Sequence, residues 1–269
     1  MPSLPEVRPQ DATPEIAAIY DQIKIVSGLP MVNLVWRHFA AYPGILRWAW
    51  DAISPVVGST AMDDARRTFV ASLTLPRIAP LGEADLRAAN LTGPVRAHVN
   101  AVIDAYIRGN LTNIISLTAL RIRLEHPEYP AAHFTPSTQA VEPAQIEPLP
   151  GIGSLDTRLA AEIRALARRH EGMGDDVIPS LYLAFSYWPE VIEALPRWLS
   201  SFYEPAAMRG AVADTVKLAE SQAEAMLPQS TAPPEGISAV APALERFTQA
   251  IIPGMIPICV ALRRIIPES

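Results

Sequence analysis

A run of six prolines, Pro127, Pro130, Pro136, Pro143, Pro148 and Pro150, occupies the middle of this 269-residue chain. Proline has no amide hydrogen and its ring clashes with the preceding helical turn, so this stretch cannot continue a helix and favours an extended path. The run divides the chain into an N-terminal segment (1–125), a proline-rich linker (126–153) and a C-terminal segment (154–269). Outside the linker apolar residues recur at helical spacing almost throughout, as in Ile16, Ile19, Tyr20 and Ile23, and further on in Val95, Val99, Val102 and Tyr106. Helix start and stop chemistry punctuates the pattern: Asp11-Ala-Thr-Pro before the first helix, Gly28-Leu-Pro after it, and Thr92-Gly-Pro before a long helix beginning near Val95. Strand-like alternation is scarce. The expected fold is all-α, with about a dozen helices.

The two outer segments resemble each other at three landmarks in the same order. Val35-Trp-Arg-His-Phe-Ala-Ala-Tyr-Pro43 aligns with Leu181-Tyr-Leu-Ala-Phe-Ser-Tyr-Trp-Pro189, Ala61-Met62 with Ala207-Met208, and Ile115-Ser-Leu-Thr-Ala-Leu-Arg121 with Pro257-Ile-Cys-Val-Ala-Leu-Arg263. This pattern predicts a duplicated pair of pseudo-repeated helical halves, with a ligand crevice between them.

A net charge of −6 with dispersed lysine and arginine leaves no footprint for a phosphate backbone, so nucleic acid is not an expected partner. The longest apolar stretch, Ala250–Leu262, is shorter than a bilayer span and holds Pro253 and Pro257, so it reads as an interrupted core helix and no membrane partner is expected. No secretory signal pattern opens the chain, and the cytoplasm is the default compartment. Cys259 is the only cysteine, which excludes an intrachain disulfide and a CxxC redox pair. The oligomeric state stays open.

Chemistry-bearing residues divide by what else explains them. The histidines at 38, 98, 126, 133 and 170 lack metal-ligand spacing, so no metal or cofactor is expected and solvated or capping roles are preferred. Ser154 after Gly151-Ile-Gly153 lacks the second glycine of a nucleophile elbow and reads as a turn. Asp175-Asp176 either supply a base or cap a helix, capping being preferred, and Asp63-Asp64 follow suit. Trp36, Trp48, Trp50, Tyr187, Trp188 and Trp198 line a pocket or, more commonly, pack a core. Arg37 either holds a carboxylate or pairs with a structural acid. Asn110 either orients a ligand or water, or ends its helix beside Gly109.

The string Glu15-Ile-Ala-Ala-Ile-Tyr-Asp-Gln-Ile23, the following Leu29-Pro-Met-Val-Asn-Leu-Val-Trp-Arg37 through Trp50, Arg108-Gly-Asn110 with Leu117-Thr-Ala-Leu120, and Tyr187-Trp-Pro189 together resemble the group I 2-haloacid dehalogenases, the DehI family. The resemblance implies an all-α protein of two pseudo-repeats. It also implies hydrolysis of 2-haloacids by direct attack of an activated water, without metal or cofactor. By the same resemblance Asn110 holds the water, Ser180 lies beside the substrate, and Met31 and Leu34 line the pocket; Arg37 is the candidate anchor. The water-activating aspartate falls seven residues before Trp188, where this chain has Leu181. The helix from Met62 to Leu73 also lacks the expected glutamate. The leading expectation is a protein that binds a small organic (halo)acid between its two repeats, with hydrolytic dehalogenation of 2-haloacids as its nearest known activity though the standard catalytic set is incomplete; the alternative is a non-catalytic or differently catalytic binding protein for a small apolar ligand.

Overall fold

The computed structural model describes residues 4–138, 143–170, 173 and 177–268. Among them the fold is all-α: no strand forms, and a single bridge joins Ser59 to Pro136. The N-terminal helices are α1 (Pro14–Ser27), α2 (Leu34–Phe39), α3 (Ile45–Val57), α4 (Thr60–Ser72), α5 (Glu83–Ala88) and α6 (Gly93–Glu125). After the proline-rich stretch come α7 (Thr157–Ala167), α8 (Ser180–Ala184), α9 (Pro189–Trp198), α10 (Pro205–Glu224), α11 (Ile237–Arg246) and α12 (Ile252–Ile265).

Local chemistry accounts for the ends of α1. Thr13 caps it by accepting from the Ile16 amide, Pro14 fills the first turn where no donor is needed, and Gly28 closes it in the left-handed conformation at φ 66°. At 33 residues α6 spans about 50 Å. Every residue from Leu111 to Leu120 on it is buried, which requires neighbours on all sides; it packs on α12, α10, α3 and α4. Its principal partner α12 is likewise buried continuously from Ile252 to Leu262.

The prolines of this last segment do not interrupt it, contrary to the expectation from sequence. One π-helical turn, Phe247–Ile251, links α11 to α12, and the helix runs unbroken from Ile237 to Ile265. Pro253 sits in the first turn of α12, directly after the wider π turn, which already disrupts the bonding ladder that a proline would otherwise break. The segment is long and apolar enough to cross a bilayer, but 78% of its apolar window is buried within the protein, as in a core helix.

The proline-rich stretch adheres to the helices. Buried Arg123, near the end of α6, donates to the carbonyls of His126, Pro127, Tyr129, Pro130 and Pro228. Farther on, Ser137 Oγ donates to Asp63 at 2.6 Å and the Ala144 amide to Gly28 at 3.0 Å. Asp63 therefore lies in the first turn of α4, pairing with Arg66 and receiving Ser137, while Ser59 provides the cap.

Asn110 does not end a helix. It lies inside α6, which continues to Glu125. The local Gly-Asn stop signal is overridden because Gly109 gives Leu29 a place to pack: a Cβ at 109 would sit 2.3 Å from Leu29 Cδ1.

Candidate functional site

A cavity of about 840 Å³ opens between the N-terminal helices and the C-terminal ones. Of the residues singled out from sequence, Met31, Leu34, Arg37, Asn110, Ser180 and Leu181 line it. Met31 and Leu34 come from the turn into α2 and its first residue, Asn110 from the middle of α6, and Ser180 and Leu181 from the start of α8. The wall is completed by Val35, Ile252 and Met255, and by Tyr106 and Asn113 one helical turn on either side of Asn110. Residues Ile146–Gly151 of the proline-rich stretch close part of the rim.

The polar groups inside are neutral and mostly engaged. Asn113, 6% exposed, accepts from Trp36 Nε1 at 3.1 Å. Ser180 hydrogen-bonds the Tyr106 hydroxyl, which donates toward Met31 Sδ at 3.7 Å. Burial raises the Tyr106 pKa, so this hydroxyl stays protonated. Asn110 Nδ2 reaches only Cys259 Sγ, at 4.0 Å. Burial pushes that thiol up to about 12, so Cys259 offers no thiolate nucleophile near neutrality.

The charges lie toward the mouth. Arg37 pairs with Glu6 at 2.9 Å, which is the structural-acid alternative of the two weighed for it. Arg8 joins the same Glu6 at 3.5 Å, and Lys24 meets Asp21 at 2.6 Å. Glu147, the remaining acid lining the cavity among the described residues, is exposed. Leu181 is 1% exposed and presents only hydrocarbon to the wall. Asp175 and Asp176 lie outside the described residues.

Other expectations are corrected. His38 and His170 are buried rather than solvated: His38 Nδ1 lies 2.8 Å from the Pro5 carbonyl, and His170 Nε2 lies 2.7 Å from Tyr182 Oη, which contacts Tyr203 Oη at 3.3 Å. Burial lowers both histidines, His170 to about 4, because a charged imidazole there loses its water. The tryptophans serve the core: Trp36, Trp50 and Trp198 are buried, Trp36 packs edge-on to Phe39 and Trp50, and none lines the cavity. Among the described residues no cluster of three or more histidine, cysteine or acidic side chains would hold a metal.

The class is an all-α protein with a largely apolar cavity among its helices; known proteins narrow it. The fold is that of the D-2-haloacid dehalogenases. A structure described as a complex of D-2-haloacid dehalogenase with L-LA matches with TM-score 0.78 and 18% identity over 99% of both chains. A mutant of such an enzyme matches with TM-score 0.77, also over 99% of both chains. In sequence, 204 residues are 24% identical to a configuration-inverting 2-haloacid dehalogenase of Alcaligenes xylosoxydans xylosoxydans, covering 70% of this chain and a little under two thirds of that relative, 66%. In fold, and over those 204 residues in sequence, the chain is similar to these dehalogenases. No protein-family model matches it.

Proposed function

We propose that this DehI-like protein binds a small organic molecule in the cavity between two sequence-related halves, 1–125 and 154–269, and does so without the water-attack chemistry of a 2-haloacid dehalogenase. Met31, Leu34, Leu181 and Asn110 form the binding wall, Ser180 braces it through Tyr106, and Arg37 holds the mouth through Glu6. The observation that carries the reading is Leu181, buried on the cavity wall where the family resemblance implies the water-activating aspartate. Attack of water on a halogen-bearing carbon needs a base within hydrogen-bond reach, and an isobutyl group cannot accept a proton. Among the described residues, the acids lining the cavity are paired with cations or exposed.

The reading is tested by titrating the protein with an apolar naphthalene fluorophore and repeating the titration on Leu34→Trp, which places a larger ring in the cavity. Saturable binding that Leu34→Trp weakens at least tenfold is expected. Absence of binding, or binding indifferent to the substitution, sinks the reading.

A further inference from the structure

Asn113 carries no local signal in the sequence, yet its side-chain amide is held in one orientation. An indole N–H only donates, so Trp36 Nε1 at 3.1 Å fixes Asn113 Oδ1 on the Trp36 side. The amide is thereby held in one of its two orientations, with Nδ2 turned away from Trp36. Asn113 is more than nine-tenths buried, lines the cavity, and no group among the described residues accepts from its Nδ2.

Three positions earlier on the same helix, Asn110 also lines the cavity, and its Nδ2 meets nothing better than a sulfur at 4.0 Å. Residues three apart lie side by side on one helix face. Two carboxamide donors beside one another match the two lone pairs of a single carbonyl oxygen. The surrounding wall of Leu34, Val35, Leu181, Ile252 and Met255 is apolar.

A carboxylate is the poorer fit at this depth. The cations lining the cavity, Arg8, Lys24 and Arg37, each face an acid. A charge carried past them would have only neutral amides in exchange for its water. A neutral carbonyl makes no such demand. The volume of about 840 Å³ lies within the range that houses drug-sized ligands, well beyond a three-carbon acid.

The geometry points to Asn113, locked by Trp36 and acting with Asn110, as a carbonyl-reading pair that selects a neutral, largely apolar ketone, ester or amide. This inference rests on the reading that the cavity takes an organic ligand.

Its test uses 6-propionyl-2-(dimethylamino)naphthalene, whose emission moves to the red when its carbonyl accepts a hydrogen bond. On the wild type, 2-acetylnaphthalene is expected to displace the fluorophore at least fivefold more tightly than either 2-naphthoate or 2-ethylnaphthalene. Asn113→Leu should weaken fluorophore binding about three- to tenfold, the effect of one neutral hydrogen bond, and move the bound emission to the blue. Equal displacement by the three competitors, or preference for the naphthoate, overturns the carbonyl assignment while leaving the ligand cavity standing. No saturable binding to the wild type overturns both. The competition arm needs no variant, so it decides the matter even if Asn113→Leu does not fold.

Discussion

Gly109→Ala is a substitution that helix propensity alone would favour and that this packing forbids. In a helix interior alanine is better than glycine by about 1 kcal/mol. Here the new Cβ would lie 2.3 Å from Leu29 Cδ1, with Cγ at 3.2 Å and Cδ2 at 3.5 Å, so the head of the leucine is in the way rather than one mobile tip. Normal carbon contacts begin near 3.5 Å, which requires Leu29 to move by about 1.2 Å. It has little freedom: it is 3% exposed, follows the left-handed Gly28 and precedes Pro30, whose ring restricts its backbone. Overpacking of this kind costs about 1–3 kcal/mol, and near the upper end for a side chain so held. The net loss is then about 1–2 kcal/mol, or a fall in Tm of roughly 2–6 °C for a chain of this size. Leu29→Ala alone should cost about 2–5 kcal/mol. In the double variant the methyl introduced at position 109 occupies space left by the leucine, so the combined loss should be at least about 1 kcal/mol smaller than the sum. Urea unfolding of the four proteins measures the cycle. A Gly109→Ala protein more stable than wild type would refute the argument.

Further predictions rest on separate contacts. Trp36→Phe leaves buried Asn113 Oδ1 without its donor and should cost about 1–3 kcal/mol in urea unfolding; an effect below a few tenths would mean that bond is unimportant. Neutral His170, held near 4 by burial, contributes stability that is full above about pH 6.5 and lost as pH falls toward 4, roughly 3 kcal/mol across the window. His170→Gln should flatten that part of the stability profile, and an unchanged slope would contradict the assignment. Arg123→Ala removes the guanidinium that gathers five carbonyls, and should cost about 3 kcal/mol or more while exposing 127–137 to limited proteolysis; an unchanged cleavage pattern would contradict the clasp.

The helical class and the ends of α1 were legible because proline, threonine and glycine act on the backbone locally, and Thr13, Pro14 and Gly28 occupy the positions their chemistry predicts. Likewise Met31, Leu34, Asn110 and Leu181 were picked out by family resemblance and share one cavity. What escaped depends on packing. Asn110 beside Gly109 looks like a helix end until Leu29 is seen resting on the glycine. Pro253 looks like a break until the π turn is seen before it, and Pro257 lies inside the continuing helix. Asn113 is one polar residue in a run of buried ones, and only the indole of Trp36, distant in sequence, gives its amide a direction. His38 and His170 carry no local signal of burial, since their partners, the Pro5 carbonyl and Tyr182, are not fixed by spacing.

The central claim is that the cavity persists without a base at position 181. Chloride release from D- and L-2-chloropropionate by the wild type and by Leu181→Asp tests it most directly. No enzyme-dependent release by the wild type is expected, with Leu181→Asp as the comparison that places a carboxylate on the cavity wall. Sustained turnover by the wild type would contradict it, because water would then be activated by a group other than the residue at 181.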